Sequence, residues 1–287
     1  MTDVLVVGSV HIDRMLRVER LPDPGETGVA TEAWTQLGGK GANQALAAAM
    51  QVPTALAACV GADAEGERAL EMLHRQGVRT CVRRSAHLPT GSSVALIDAG
   101  GENLGVIFAA ANSEHSPSDV VPVIDELRPS LVLCQWESPL DALGATLTTA
   151  REKGIATLLN SAPWREELRP VLSLADHVIV NAVEAAAWAG EGVDHVPTDV
   201  AFAHPSVVVT LGARGVAHYQ DGTLEHHQPA ERVKVRSTHG AGDHFAGALA
   251  AGLAGGVPLA TAMRDASRAA GKWVETLHKN LMYAAPR

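Results

Sequence analysis

Short apolar runs that end at a glycine or a polar residue recur along this chain, and they constrain its fold more than any other feature. They cover 4–7, 131–134, 155–159, 177–180 and 206–211. Continuous apolar runs of this length are typical of strands buried on both faces of a parallel sheet. Alanine-rich or amphipathic stretches of helical length follow them. Because no repeat or flexible linker interrupts this rhythm, we predict one α/β domain over 1–287 with a mostly parallel sheet.

Two segments, at about 14–36 and 92–109, break this rhythm. Both alternate apolar and polar residues; the first is broken by Pro22, Pro24 and Gly25, and the second turns at 100–103. Alternation of this kind is typical of antiparallel strands with one exposed face. We therefore predict that the two segments form a small separate sheet inserted into the α/β domain.

The composition excludes several classes of partner. The 287 residues include 23 Lys and Arg against 32 Asp and Glu, for a net charge of −9. An acidic chain without a long basic run argues against nucleic acid or an anionic membrane as the main partner. No signal-peptide pattern and no apolar run of ~20 residues is evident. Three scattered cysteines, Cys59, Cys81 and Cys134, fit reduced thiols. We expect a cytoplasmic protein.

The stretch 237–247, Ser-Thr-His-Gly-Ala-Gly-Asp-His-Phe-Ala-Gly, suggests chemistry. A β-branched run at 232–235 predicts a strand before it, and an alanine-rich run predicts a helix after it. Gly240 and Gly242 let an anion approach the backbone N–H groups at the start of that helix. Asp243 then places a base beside an anion site, as phosphoryl transfer to a hydroxyl requires. The alternative is an ordinary turn in which Asp243 caps the helix.

Other polar residues recur where the predicted strands end. They are Asp13, Glu137, Asn160, Asn181, Thr210 and Asp243. The carboxyl ends of parallel strands meet at one edge, so we expect these side chains to converge on one crevice. Asn181-x-x-Glu184 fits either a helix capping box or a carboxylate near a nucleotide's Mg²⁺. The glycines of 210–215 fit either a plain turn or close approach of a nucleotide.

Together these residues resemble the ribokinase-like (PfkB) carbohydrate kinase family. The matching motifs run in family order from residue 4 to about residue 250. They are Val7-Gly8-Ser9-x-x-x-Asp13, Pro24-Gly25-Glu26, Gly38-Gly39-Lys40-Gly41-Ala42-Asn43-Gln44-Ala45, Glu137-Ser138-Pro139, Asn181-x-x-Glu184, Thr210-Leu211-Gly212-x-Arg214-Gly215 and Gly240-Ala241-Gly242-Asp243-x-Phe245-x-Gly247. Any one of these motifs is weak, whereas the set is specific.

The resemblance implies a three-layer α/β/α domain with a small β-sheet lid, which often mediates dimerisation. It implies transfer of the γ-phosphate of ATP to a sugar hydroxyl, with Asp243 as general base and the N–H groups of Gly240, Ala241 and Gly242 as anion hole. Asn181, Thr210, Gly212 and Gly215 would lie along the nucleotide, and Glu184 near Mg²⁺. The implied sugar-binding residues are His11, Asp13, Gly39, Lys40, Asn43 and Glu137.

Three features depart from the family pattern. His11 replaces an asparagine, which predicts an altered sugar pocket; a packed histidine is the alternative. Ser237 replaces the aspartate that opens the family's monovalent-cation loop, which puts K⁺ activation in doubt. The segment 269–287 lacks the family's Gly/Ser/Pro-rich loop, for which Trp273, Lys279 or Asn280 could substitute.

We therefore expect an ATP- and Mg²⁺-dependent kinase that acts on a small ribose-like sugar and forms a homodimer through the lid sheet. The alternatives within this class are a kinase for fructose, a sugar acid or a nucleoside. An alternative of another class is a catalytically weak homologue that binds a sugar or nucleotide.

Overall fold

The computed structural model describes residues 2–100, 103–190, 192–193 and 195–276. Thirteen strands occur in these ranges. They are β1 Val4–Val7, β2 His11–Val18, β3 Ala30–Gly38, β4 Thr54–Gly61, β5 Arg79–Ser85, β6 Gly91–Ile97, β7 Asn103–Phe108, β8 Leu131–Gln135, β9 Ala156–Asn160, β10 His177–Asn181, β11 Ser206–Thr210, β12 Val216–Gln220 and β13 Thr223–Gln228. The helices are α1 Lys40–Ala49, α2 Ala64–Arg75, α3 Pro117–Leu127, α4 Leu140–Glu152, α5 Arg169–Leu172, α6 Ala182–Ala189, α7 Ala241–Ala254 and α8 Leu259–Val274.

Nine strands form the central sheet in the order β13-β12-β11-β10-β9-β8-β1-β4-β5. The strands from β11 to β5 are parallel, and β12 and β13 extend the sheet as an antiparallel hairpin. Most residues of the predicted apolar runs are buried, and all four residues of β1 have no exposed surface. The carboxyl ends of the parallel strands therefore share one edge, where an α/β fold binds its ligands.

Helices cover both faces of this sheet. Val4 and Val6 of β1 pack in one core cluster with α1, α7 and α8, whereas Leu5 and Val7 pack in a second with α3 and α4. This alternation is the period-2 signature of a strand between two helical layers. The predicted three-layer α/β/α fold with a mostly parallel sheet is confirmed.

A second sheet, which we call the lid, has four strands in the order β3-β2-β6-β7. β2 pairs antiparallel with β3 and parallel with β6, which pairs antiparallel with β7. The strands β2 and β3 run from His11 to Gly38, so His11 and Asp13 lie in the lid rather than in a loop after β1. The turn predicted at 100–103 lies partly outside the described residues.

The strand predicted at 232–235 is wrong. This segment has no strand partner and follows the end of α8 instead, where Lys234 N donates to Glu275 Oε1 at 3.1 Å and Arg236 N to the Val274 carbonyl at 2.7 Å. β13 ends at Gln228, and β-branched residues without a neighbouring strand have no ladder to join. Within the described ranges, no helix combines the length and apolar character needed to cross a membrane.

Candidate active site

Asp243 lies in the first turn of α7, at the edge where the parallel strands end. Gly240, in the left-handed region with φ 73°, precedes the helix. The Asp243 side chain is buried and accepts hydrogen bonds from Gln44 Nε2 to Oδ1 at 2.9 Å and from Asn43 Nδ2 to Oδ2 at 3.5 Å. The carboxylate therefore bonds residues of α1 and does not cap its own helix, so the capping alternative is wrong.

The predicted anion hole is the turn 240–242. The first-turn N–H groups of a helix have no intrahelical acceptor and carry the positive end of its dipole. Of the three predicted N–H groups, that of Ala241 donates to the Thr238 carbonyl at 3.2 Å. Gly240 faces the indole of Trp273, because a Cβ at this glycine would be 3.5 Å from Trp273 Nε1.

Lys40 brings a positive charge to the base. Its Nζ lies 3.8 Å from Asp243 Oδ1. The negative charge of Asp243 raises the pKa of Lys40, burial lowers it, and Glu137 and Glu184 raise it further. Lys40 is therefore a cation that interacts with three carboxylates. Among them are Glu137, predicted to bind the sugar, and Glu184, predicted to lie near Mg²⁺, so both belong to one site.

Glu137 and Gly39 fix the loop that carries Lys40. Glu137 Oε2 accepts from Ser9 Oγ at 2.5 Å and from the backbone N of Lys40, the first residue of α1, at 2.9 Å. Gly39 has φ 90°, and a Cβ there would lie 2.8 Å from both His11 N and the Ser9 carbonyl. Only glycine fits such a close approach of two backbones.

Asp13 faces the same site from the lid. Its Oδ1 accepts from Ser93 Oγ at 2.6 Å, and its Oδ2 lies 3.8 Å from His239 Nε2. Gly38 opposes this carboxylate so closely that a Cβ there would be 1.9 Å from Asp13 Oδ2. His11 is only 2% exposed and packs beside Gly91, where a Cβ would be 2.5 Å from His11 Cδ2. Its contact with substrate stays a prediction.

Two of the four residues predicted to line the nucleotide lie at the ends of the neighbouring strands β10 and β11. Asn181 and Thr210 are register partners at the ends of these strands. Asn181 Oδ1 accepts from Glu184 N at 2.9 Å, and Glu184 Oε2 accepts from Asn181 N at 2.8 Å, so the predicted capping box is present. Gly212 and Gly215 have φ values of 58° and 98° in the turn that follows.

Glu184 is a buried carboxylate beside this nucleotide-side edge. Burial raises its pKa, while the Asn181 N–H and Lys40 lower it and Asp243 raises it. No group of three metal-ligating side chains occurs in the described part of the chain. Mg²⁺ in nucleotide sites takes one or two carboxylates and completes its shell with phosphate oxygens and water. One buried carboxylate fits that donor set.

The comparisons with known proteins decide the family. Residues 1–280 match the model of the pfkB family carbohydrate kinases. The chain belongs to this family. It is therefore a carbohydrate kinase, and the resemblance drawn from the motifs is confirmed.

Ribokinases are among the relatives of this kinase. The mouse (Mus musculus) ribokinase is 36% identical over 265 residues, which cover 88% of this chain and 81% of that protein. The Cryptococcus neoformans ribokinase solved with ADP has a TM-score of 0.85 and 30% identity, with 98% and 97% of the two chains covered. The Arabidopsis thaliana ribokinase solved with ribose and ATP has a TM-score of 0.79 and 27% identity, with 96% and 94% covered.

The motif-based site prediction for this kinase missed His239. Its imidazole Nε2 lies 3.8 Å from Asp13 Oδ2, and the approach of this carboxylate raises the pKa of His239, while burial lowers it. Its carbonyl accepts from Trp273 Nε1 at 3.0 Å, and Trp273 stacks on His244 with ring centroids 4.6 Å apart. The sequence signal that could have pointed to His239 is the departure from the family pattern at Ser237, two residues before it.

Two further departures of this kinase can now be placed. Ser237 Oγ accepts from His239 N at 3.3 Å, a local contact within the loop that opens with this serine. Trp273 contacts the same loop from α8, whereas Lys279 and Asn280 lie outside the described residues.

Proposed function

We propose that this carbohydrate kinase transfers the γ-phosphoryl group of ATP to a hydroxyl of a ribose-like sugar, with Asp243 as general base. One observation carries the proposal: a buried carboxylate in the first turn of α7 touches Asn43 and approaches Lys40 of the glycine loop. A base between an anion site and a polar pocket is what transfer to a hydroxyl needs.

The sugar would lie between the lid and the start of α1. In this proposal His11, Asp13, Gly39, Lys40, Asn43 and Glu137 contact it. Carboxylates accept hydrogen bonds from hydroxyl groups, and two of them border the glycine loop: Asp13 lies against Gly38, and Glu137 accepts from Lys40 N. Both are already oriented, Asp13 by Ser93 and Glu137 by Ser9. Preorganised acceptors lower the cost of fixing a flexible polyol in one pose.

The nucleotide would lie on the other side of Asp243. We propose that Asn181, Thr210, Gly212 and Gly215 line it, with Glu184 directed to Mg²⁺. When bound, Mg²⁺ neutralises charge on the transferring phosphates. The N–H groups of 240–242 would then hold the phosphoryl oxygens, that of Ala241 in exchange for its bond to the Thr238 carbonyl, while Asp243 removes the hydroxyl proton. Because Ser237 offers no carboxylate, we propose that K⁺ does not activate this kinase.

We also propose a cytoplasmic homodimer formed through the lid. The lid strands β6 and β7 expose large apolar side chains to solvent: Val94, Leu104, Val106, Ile107 and Phe108, between 44% and 68% exposed. Exposed apolar patches of this kind are typical of protein–protein interfaces.

The chain's net charge of −9 favours a small polar substrate over nucleic acid.

The test is sugar-dependent ADP release. The protein is incubated with ATP and Mg²⁺ and with ribose, 2-deoxyribose, fructose, a sugar acid or adenosine, and ADP is measured by a coupled assay. We expect the highest kcat/KM with ribose, and a loss of ~10²–10⁴-fold in Asp243→Asn, because that variant lacks the base. ADP release no higher than in Asp243→Asn with every acceptor would refute the kinase proposal and favour a binding homologue.

A further inference from the structure

A buried chain of side-chain amides connects Asp243 to the centre of the sheet. Gln44 of α1 and Gln135 of β8 have no exposed surface. Gln135 Nε2 donates to Gln44 Oε1 at 2.8 Å, and Gln44 Nε2 donates to Asp243 Oδ1 at 2.9 Å. Gln44 Nε2 also donates to Asn160 Oδ1 at 2.9 Å. Buried amides are normally satisfied, but this chain ends on the base of the reaction.

The chemistry of the partners fixes which end of each amide faces which neighbour. An ionised carboxylate only accepts hydrogen bonds, so Asp243 requires the NH₂ group of Gln44. The side-chain oxygen Oε1 of Gln44 then faces Gln135 and requires the NH₂ group of Gln135 in turn. If Gln44 turned over, its carbonyl oxygen would oppose both the carboxylate of Asp243 and the carbonyl of Asn160.

This orientation leaves one polar atom unsatisfied. Among the described residues, Gln135 Oε1 has no hydrogen-bond partner, although it is fully buried. It lies against Gly8, where a Cβ would be only 2.0 Å away. A buried acceptor without a partner is costly, and such atoms in native proteins call for an explanation. The explanation here is the orientation of Gln44: with its NH₂ group on Asp243, it takes the NH₂ group of Gln135 and leaves Gln135 Oε1 without a donor.

The backbone holds the two ends of the chain at a fixed separation. Helices α1 and α7 touch at Gly247, where a Cβ would be 2.3 Å from the backbone carbonyl oxygen of Gln44 and 2.6 Å from Ala47 Cβ. Gly247 is one turn after Asp243 on α7. Because protein interiors are close-packed and do not deform continuously, this contact fixes Gln44 relative to Asp243.

The hydrogen bonds make the two oxygens of Asp243 unequal. Oδ1 accepts the Gln44 bond and lies 3.8 Å from Lys40 Nζ. From the residues that the structure describes, Oδ2 receives only the long 3.5 Å contact with Asn43. A donor to the ionised form stabilises that form and reduces the basicity of the oxygen that accepts it. The oxygen best able to take a proton from a hydroxyl is therefore Oδ2.

We propose that Gln44 is a positioning residue, oriented by Gln135, that donates to Oδ1 of Asp243 and presents Oδ2 to the acceptor hydroxyl. This inference rests on the proposed function, because it assigns Asp243 the role of base. It adds two residues that touch neither substrate nor nucleotide in the proposal. Their effect on the reaction passes entirely through the carboxylate.

The test compares Gln44→Met and Gln135→Met with wild type, and with Thr146→Val as control. Thr146 is equally buried, but its hydroxyl donates to the Ala142 carbonyl of its own helix α4, in the other helical layer. We expect kcat to fall at least ~10-fold in Gln44→Met, and the acid limb of the pH–rate profile to move up by about one pH unit, because the ionised carboxylate has lost a donor. Gln135→Met should shift the profile in the same direction by less, and Thr146→Val should not shift it.

A second readout does not depend on turnover. In protein with ¹³Cγ-labelled aspartate, the Asp243 resonance is assigned by its loss in Asp243→Asn, and its titration midpoint is followed by NMR. We expect a higher midpoint in Gln44→Met than in wild type. An unchanged midpoint in both methionine variants overturns the inference, as does a rate loss with an unshifted pH profile. A wild type without sugar-dependent ADP release would overturn the proposed function while the titration still decides whether Gln44 controls the carboxylate.

Discussion

Two buried histidines should make the protein less stable in mild acid. Burial lowers the pKa of His115 to about 4, with Asp119 raising it and Arg83 lowering it. Burial also lowers the pKa of His218 to about 4, with His177 and His226 lowering it and Glu225 raising it. In the unfolded chain both rings take up a proton near pH 6.5. Between pH 6.5 and about 4 the unfolded state therefore binds more protons, and the free energy of unfolding falls as the pH falls.

The size of the effect follows from these two values. For one histidine with a pKa of about 4 when folded and 6.5 when unfolded, the loss at pH 5 relative to pH 8 is about 2 kcal/mol. The two histidines together would remove about 4 kcal/mol, a large part of the ~5–15 kcal/mol typical of a folded domain.

The perturbation that isolates one site is His115→Leu. Among the described residues, His115 Nδ1 is buried without a hydrogen-bond partner, so leucine sacrifices no bond at that atom. Urea unfolding at pH 8, 6 and 5 should show that the variant loses about 2 kcal/mol less than wild type between pH 8 and pH 5. The matched control, His74→Gln, replaces an exposed histidine of α2 and should follow the wild-type curve. Equal pH dependence of wild type and His115→Leu would refute the reasoning.

Three other predictions concern the site and the lid. Gly39→Ala should lower the free energy of unfolding by at least ~2 kcal/mol in urea titrations, because its Cβ would meet two backbone atoms at 2.8 Å with φ at 90°. The contact with Asp13 raises the pKa of His239, so their attraction is complete below pH 6.5 and is lost as the pH rises through the raised value. The sugar KM of wild type should therefore change between pH 6 and 8.5, whereas that of His239→Asn should stay flat. Val106→Asp places a charge on the exposed apolar face of β7, and sedimentation velocity should show it shifting a lid-mediated dimer to monomer.

Local pattern was sufficient for the sheet and for one end of the site. The runs are buried strands because most of their side chains are apolar, which is a property of the sequence itself. The Asn181–Glu184 capping box was likewise readable, since both partners lie within one helical turn. β5 was missed because its residues Arg79, Arg83 and Arg84 carry charge and hide an edge strand.

The contacts that define the base were not readable from the sequence. Gln44 and Asp243 are 199 positions apart, and Asp13 and His239 meet only because the lid strand β2 faces the turn before α7. Such pairs depend on how helices and sheets pack, which no local period encodes. The failed strand at 232–235 has the same origin, because strand propensity needs a partner strand that the fold places elsewhere.

The lid is joined to the catalytic domain through the pocket itself. β1 ends at Val7 and β2 begins at His11, while β3 ends at Gly38 and α1 begins at Lys40, so both crossings are made by proposed sugar-contacting segments. Within the lid itself, Ser93 of β6 holds Asp13 of β2 in place. The lid is therefore not an exchangeable module. A lid grafted from a relative would bring that relative's sugar preference with it. Substitutions that shift the lid strands from their outer face would likewise change substrate binding.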